Sequence, residues 1–522
     1  MDEVLSARPL AHSTPGAAGP AVVAAVDLGS NSFRLQVGRV VDEQIYPLDS
    51  LREPVRLAAG LGPDKRLDEA SQQRALDALH RFGERLRGFE EAAVRAVGTN
   101  TLRVAKNARD FLRRAEMALG FPIEVVAGKE EARLIYLGVS HSLPPTAERR
   151  MVVDIGGGST EFIIGSGYQP RKLESLYMGC VSFTLRYFEG GRVTKSGLKQ
   201  AETAARIELQ TIERGFSRGH WKQAVGSSGT ARALGDLIQA NGWGDGSITA
   251  EGMERLRAHL LKAGDLERIA LSGLKSDRAQ VLPGGFAIMS AIFGELGVDR
   301  MILATGAMRQ GILYDMVGRF HHHDMREVTV RQFMKRYHVD AAQARRVETL
   351  ALEFHRALAR HREAHDDTRR QLVAWAARLH EIGLSVAHTG YHKHSAYILG
   401  NADMPGFSKM EQAHLALLVL AHRGTLDKVK PLVTDSDDWP VIMSLRLATL
   451  FHRTRGPVAL PPIEAAWRDG GFELDLPLDW LSRYPLTAAA LRSEIREWRA
   501  IGFDLDVPVL DTLEGSFDPV VD

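Results

Sequence analysis

Two stretches, AAVDLGSNSFRL (residues 24–35) and VVDIGGGSTEF (residues 152–162), decide the fold of this chain. They align without a gap from the Asp onward, setting Asp27 over Asp154, Gly29 over Gly156 and Ser32 over Ser159. In each copy an apolar run, Val22 to Val26 or Met151 to Val153, reads as a buried strand. It ends in Asp, turns through small residues and re-enters a strand at Phe33 or Phe162. Glycines let a bulky anion approach the main chain, where turn N–H groups cradle phosphate oxygens. An Asp at the end of each strand can hold a hydrated divalent cation against that phosphate. The repetition predicts two similar α/β lobes with a phosphate-binding cleft between them.

Outward from these turns, size and composition narrow the field. At 522 residues the chain is too long for one core. Lys plus Arg number 66 against 65 Asp plus Glu, so the total charge advertises neither a nucleic-acid nor a membrane binder. An anionic ligand therefore has to be met by local basic clustering. The single cysteine, Cys180, excludes an intramolecular disulfide, suits a reducing cytosol and reads as a small packed residue within LYMGCVSF. No stretch approaches the roughly 18 apolar residues of a membrane span. A cytoplasmic protein with at most peripheral membrane association is expected.

The pattern along the chain gives a disordered leader at 1–20, lobe I at 21–133 and lobe II at 134–320. An all-helical domain follows at 321–455, dense in Ala, Leu, Arg and His, and a small α+β domain at 456–522. Helices are expected over 68–86, 108–119, 195–213 and 488–500, and short tail strands in PVALPP and FELDLPLDWL. The triple histidine His321 to His323 reads as a polar linker.

Five loops then gather at the cleft: 27–33, 98–103 (GTNTLR), 128–133 (GKEEAR), 154–161 and 226–230 (GSSGT). Main-chain donors are expected from Gly29, Ser30, Asn31 and Ser32, and from Gly156, Gly157, Gly158 and Ser159. The third loop adds those of Gly226, Ser227, Ser228, Gly229 and Thr230. Side-chain donors come from Asn31, Ser32, Thr99 and Arg103, whose guanidinium fork suits phosphate. Hydrolysis of a phosphoryl group also needs an oriented water and a carboxylate in reach of its proton. Glu130 and Glu131 offer one between the lobes, although Glu also favours the first turn of a helix. There is no GxxxxGK[ST] run to support a P-loop site.

Together DLGSNSF, GTNTLR, EEARL, DIGGGSTE and GCVSF resemble the exopolyphosphatase and guanosine pentaphosphate phosphohydrolase (Ppx/GppA) family. The resemblance implies two actin/hexokinase/Hsp70-like (ribonuclease H-like) lobes and a homodimer. It also implies a Mg²⁺-dependent (or other divalent-cation-dependent) hydrolase that releases orthophosphate from inorganic polyphosphate. It makes Glu131 the general base and Asp154 and Glu161 parts of the metal and water network, with Asp27 the first-lobe counterpart that holds the cation through water. GTNTLR, DIGGGSTE and GRFHHHDMR point to the long-chain exopolyphosphatase branch. The alternatives are guanosine pentaphosphate hydrolysis or a non-catalytic sensor of polyphosphate or guanosine polyphosphates; kinases of the same fold group are the nearest competing enzymes. In LATGAMRQGILYDM, Arg309, Gly311 and Tyr314 match the family motif, whereas Thr305 and Gln310 replace its acidic residues. WAARLHEIGLSVAHTGYHKHSAYIL resembles an HD phosphohydrolase domain, but Glu381 follows His380 in place of Asp and Thr449 stands where an Asp ligand is expected. The resemblance thus implies a degraded metal site there, with His392 and His394 structural or lining a channel.

Overall fold

In the computed structural model, which describes residues 21–41, 44–144, 146–320, 324–358, 367–468 and 470–512, the duplication extends from the turns to the whole sheet. Lobe I contains β1 (Val22–Leu28), β2 (Phe33–Val41), β3 (Gln44–Glu53), β4 (Val94–Gly98) and β5 (Ile123–Val125), in the order β3-β2-β1-β4-β5. Lobe II contains β6 (Arg150–Ile155), β7 (Thr160–Ser166), β8 (Gln169–Leu176), β9 (Gln223–Ser227), β10 (Ile248–Thr249) and β11 (Arg300–Leu303). Its order is β10-β11-β9-β6-β7-β8, so β8-β7-β6-β9-β11 repeats lobe I strand for strand and β10 is an addition at the edge. In both, the first strand runs antiparallel to its hairpin partner and parallel to the strand on its other side.

Helices cover these sheets. Lobe I has α1 (Glu69–Arg85), α2 (Asn100–Val104), α3 (Ala108–Leu119) and α4 (Gly128–Ser142). Lobe II has α5 (Cys180–Tyr187), α6 (Lys195–Gln210), α7 (Glu213–Phe216), α8 (Ser228–Ala240), α9 (Ala250–Ala263), α10 (Ser276–Ala279), α11 (Leu282–Leu296) and α12 (Met308–Phe320). Strand alternation sorts side chains into separate cores. Ala24, Val26 and Leu28 pack outward against α1 and α3, whereas Val23 and Ala25 join a central core. In lobe II, Met151 and Val153 face the outer core and Val152 the central one.

The central core is closed by α4 and α12, which cross with their backbones in contact. A Cβ on Gly311 would overlap the Leu134 carbonyl, and one on Gly138 the Ala307 carbonyl. At this crossing lies a buried charge network. Arg95 of β4 donates to Asp315 at 2.6 Å and pairs with Glu124 at 3.0 Å; Arg133 pairs with Glu130 at 2.8 Å and with Asp315 at 2.5 Å. The guanidiniums of Arg133, Arg319 and Arg95 hold the Asp315 carboxyl well below the usual range despite its burial.

The chain divides into two compact units between Asp324 and Met325. The second is built on α13 (Met325–Arg336), α14 (Ala341–Leu358), α15 (Asp367–Leu379), α16 (Tyr391–Asn401), α17 (Lys409–Ala421), α18 (Asp438–Phe451), α19 (Leu478–Arg483) and α20 (Pro485–Ala500). A small sheet of β12 (Glu464–Arg468), β13 (Gly471–Asp475) and β14 (Asp504–Asp506) completes it.

Several expectations need correction. PVALPP forms no strand, because its prolines remove ladder donors, and the strand pairing with β13 begins at Glu464. Only the first part of FELDLPLDWL is a strand; the rest turns into α19. The tail has no core of its own: Phe472, Leu474 and Trp498 share one apolar cluster with Leu415, Ile442 and Phe451 of the helical part. The helix expected over 195–213 stops at Gln210 and resumes at Glu213. The helix over 68–86 forms as α1, with the Asp68 carboxylate capping the Ser71 N–H at 2.6 Å. No helix among the described residues is long and apolar enough to cross a membrane. The leader and His321 to His323 lie outside the described residues.

Candidate active site

The two duplicated turns meet face to face. A Cβ on Gly157 would lie 3.0 Å from the Ser30 Cβ and 3.2 Å from the Asn31 amide, so a side chain there would have to push the turns slightly apart. The lobe I turn is tied down by the Arg56 and Ala58 amides, which donate to the Asn31 and Ser30 carbonyls at 2.8 and 2.9 Å. The lobe II turn is held by the start of α5, where the Cys180 and Val181 amides donate to Gly156 and Gly157 at 2.9 and 3.0 Å. A Cβ on Gly179 would collide with the Gly157 carbonyl, so GCVSF supports the glycine turn and Cys180 is a buried packing residue. The third turn enters α8 through Ser228, which adopts φ 87° without being glycine. Its hydroxyl accepts from the Thr230 and Ala231 amides at 3.2 Å, which compensates that local strain.

These turns line a cleft of about 140 Å³ into which carboxylates and guanidiniums converge. Asp27, Glu131 and Asp154 line it, together with Arg34, Arg232, Arg278 and Arg309. Burial raises Asp154 to about 7, reinforced by Glu131 and Asp27 and opposed by the Ser227 hydroxyl and Arg34. Burial likewise raises Asp27 to about 6, against the pull of Arg309 and Arg34. Glu161 is pushed well above the carboxylate range by burial and then by Glu131 and Asp154. The arginines repel one another: burial, then neighbouring guanidiniums, lower Arg34 to about 10 and depress Arg278 and Arg309. Among the described residues, only Arg278 of these four has a carboxylate within ion-pair distance, Asp277 at 4.0 Å.

Most expected residues gather here: Asp27, Gly29, Ser30, Asn31, Ser32, Thr99, Glu131, Asp154, Gly156, Gly157, Ser159, Ser228, Gly229 and Thr230 all line the cleft. The Ser32 hydroxyl is buried with no hydrogen-bond partner among the described residues. Five expected residues sit elsewhere. Arg103, expected to donate to phosphate, instead donates to Glu131 Oε2 at 2.7 Å and to the Val126 carbonyl at 3.0 Å, so it orients the carboxylate. Glu161 lies behind the cleft wall as the cross-strand partner of Asp154, accepting from the Ser175 hydroxyl at 2.9 Å. Gly158 is packed against the Asn100 amide. Gly226 is packed against Ala231 and Met301 within β9. Ser227 donates to the Gly306 carbonyl at 3.3 Å. Glu130 belongs to the buried network and not to the cleft.

Sequence reasoning missed the cationic wall. Arg34 was legible, since it is the strand neighbour directly opposite Asp27. Arg232 and Arg278 carry no local signal: one lies in the first turn of α8 and the other in the four-residue α10. The Arg278 guanidinium packs where a Cβ on Gly229 would be, which explains the glycine in GSSGT. Gln310, noted as a departure, accepts from the Ala307 amide at 3.1 Å and caps α12.

Buried carboxylates that resist ionisation thus stand beside four guanidiniums in one cleft, on paired lobes of actin/hexokinase/Hsp70-like architecture, an arrangement suited to a phosphoryl group. The model of the Ppx/GppA phosphatase family matches residues 36–320, and that of the Ppx/GppA phosphatase domain III matches residues 325–495. The chain belongs to the Ppx/GppA phosphatase family, a family of hydrolases. Among solved structures, an exopolyphosphatase from Cytophaga hutchinsonii is 24% identical with a TM-score of 0.52, over 57% of this chain and 97% of that one. A PPX-GPPA enzyme from Aquifex aeolicus is 27% identical with a TM-score of 0.47, over 56% of this chain and 98% of that one.

Proposed function

We propose that this phosphatase is an exopolyphosphatase that hydrolyses the terminal phosphoanhydride of inorganic polyphosphate and releases orthophosphate. The observation that carries this reading is the wall of Arg34, Arg232, Arg278 and Arg309, four guanidiniums on one cleft of which Arg34 faces Asp27 across the ladder and Arg278 lies 4.0 Å from Asp277, a density of positive charge that suits a ligand with a charge on every phosphorus. Glu131 is the general base in this reading. The Arg103 guanidinium holds one of its oxygens, which fixes the carboxylate for a water at the end of the phosphate chain. The amides of the glycine turns and the Ser32 hydroxyl bind phosphate oxygens.

The donor set also fits a divalent cation. Asp27 and Asp154 are hard oxygen donors whose ionisation is opposed by burial and by neighbouring carboxylates, and a cation removes that opposition. Among the described residues no three His, Cys, Asp or Glu side chains converge closely enough to ligate a metal directly. That suits Mg²⁺, which keeps several waters and uses one or two carboxylates plus substrate phosphates. Asp154 and Asp27 would hold it through water, with Glu161 behind them. When bound it supplies neutralisation of phosphate charge.

The test is phosphate release from long-chain polyphosphate and from guanosine pentaphosphate, with and without Mg²⁺. A higher kcat/KM on polyphosphate is expected. A higher value on guanosine pentaphosphate replaces this reading with the nucleotide phosphohydrolase, and binding of either without release replaces it with a sensor.

A further inference from the structure

The C-terminal unit holds a cavity of about 590 Å³, inside the range of roughly 300–1,000 Å³ typical of small-molecule sites. Two buried imidazoles, His380 and His422, stand in its wall with ring centroids 5.1 Å apart. Each is anchored through Nδ1, His380 to the Ala377 carbonyl at 2.6 Å and His422 to the Val419 carbonyl at 2.5 Å. A carbonyl only accepts, so each Nδ1 carries the proton and each Nε2 presents a bare lone pair. Burial holds both imidazoles neutral by lowering them from the usual value.

The two lone pairs fare differently. The Tyr391 hydroxyl reaches His422 Nε2 at 3.3 Å, and Arg423 supports that tyrosine from above its ring at 5.2 Å. His380 Nε2 faces Glu381 Oε1 at 3.7 Å, an acceptor opposite an acceptor. That carboxylate oxygen already accepts from Arg455, whereas His380 Nε2 has no donor among the described residues, so a hydroxyl or amino group on a ligand would meet the imidazole there. Arg446 is taken by Glu494 at 2.7 and 2.9 Å, and Arg455 by Glu381. Arg423 and Arg453 line the same cavity with no carboxylate in ion-pair distance among the described residues.

We propose that this cavity is a second ligand site that binds a small organic phosphomonoester, its hydroxyl or amino group at His380 and its phosphate at Arg423 and Arg453. Arg423, stacked on Tyr391 beside His422, and Arg453 line one cavity with the bare imidazole nitrogen, so a molecule that carries both a donor group and a phosphate uses more of the site than either group alone.

The experiment is titration calorimetry of the full-length protein with adenosine monophosphate, adenosine and orthophosphate. Saturable binding of adenosine monophosphate is expected, at least about tenfold tighter than either fragment and weakened about tenfold or more by Arg453→Ala, the loss of one charge-assisted contact. Arg453 is exposed, so its truncation leaves the fold intact. Arg309→Ala, in the inter-lobe cleft, should leave this affinity within about twofold. The proposal is overturned by absence of binding up to about 5 mM. It is equally overturned by indifference to Arg453→Ala, by weakening in Arg309→Ala, or by orthophosphate binding as tightly as the whole nucleotide. None of these results depends on phosphate release, so the fate of the polyphosphatase reading is decided separately.

Discussion

Lobe I and lobe II share a strand order, a turn and a terminal Asp, yet they answer the charge of that Asp in opposite ways. Seven residues after Asp27 the returning strand carries Arg34; seven residues after Asp154 it carries Glu161, and each is the directly opposed cross-strand partner. Opposite charges across a ladder are favourable and like charges are not. The protein thus supplies a counter-charge to its first Asp and withholds one from its second, whose cross-strand position adds repulsion. A duplicated frame has become asymmetric at one register position, and lobe II is left to recruit its positive charge from outside.

The strongest challenge to this comparison is at Glu131, which acts electrostatically on both aspartates. Glu131→Gln is expected to lower turnover by about two to four powers of ten with folding and substrate binding retained. Near-parental phosphate release by the folded variant would remove Glu131 as the base.

Next in size is the contrast between the aspartates. Asp154→Asn should raise the Mg²⁺ concentration for half-maximal rate about tenfold, and Asp27→Asn only about threefold, because Arg34 already compensates the first. Equal shifts would mean that the lobes share the cation evenly and that the Arg34/Glu161 difference is incidental.

A third effect concerns pH in metal-free protein. Asp27 and Asp154 lose their protons at about 6 and about 7 when folded, against 3.8 as the ordinary value. The folded state therefore keeps protons that the unfolded chain has already released, so these two groups, and Glu161 with them, contribute a loss of stability as pH rises from about 4 through 7, opposed by His380 and His422, whose lowered values make the unfolded chain the better proton binder below 6.5. Asp315, held low, acts in the opposite sense only below about 4. Relative to Asp154→Asn, which keeps the histidines and lacks the carboxyl, the parent's thermal midpoint should fall by a few degrees between pH 5 and pH 8 without divalent cation, and Mg²⁺ should recover that difference at pH 8 but not at pH 5. Parallel metal-free profiles of the parent and Asp154→Asn would contradict the raised carboxylates.

The smallest expected change is at Ser32, whose hydroxyl has no protein partner. Ser32→Ala should raise KM for polyphosphate by about three- to tenfold, the worth of one hydrogen bond, with the thermal midpoint unmoved. A loss of stability with unchanged KM would assign the hydroxyl to the fold.

Much of this was legible in the sequence because the signals were local. A hairpin fixes Asp, Gly and Ser within a few residues, so DLGSNSF and DIGGGSTE disclose both turns and the paired lobes. Glu131 was named through a resemblance, and the geometry that orients it comes from Arg103, 28 residues away, which the sequence reading had assigned to phosphate. A guanidinium suits either anion, and only tertiary placement distinguishes them. Arg232 and Arg278 remained hidden for a related reason: each is a single surface-like arginine whose meaning depends on which turn it faces. In the tail, FELDLPLDWL and the helix over 488–500 read as a separate small α+β domain, although Phe472 and Trp498 pack into the helical core, because apolar periodicity reports that a face is buried and not what covers it.

The charge network at the α4–α12 crossing carries a consequence for biogenesis. Arg133 is paired with Asp315 across 182 residues of chain, and Arg95 with the same carboxylate across 220. On a ribosome adding about 5–20 residues per second, Arg95 and Arg133 wait roughly 10–45 s for Asp315 to be made. A guanidinium denied its full complement of partners resists burial. Lobe I, though first to emerge, would then mature only after the last helix of lobe II, and a nascent chain stalled before α12 should remain open to protease around α4.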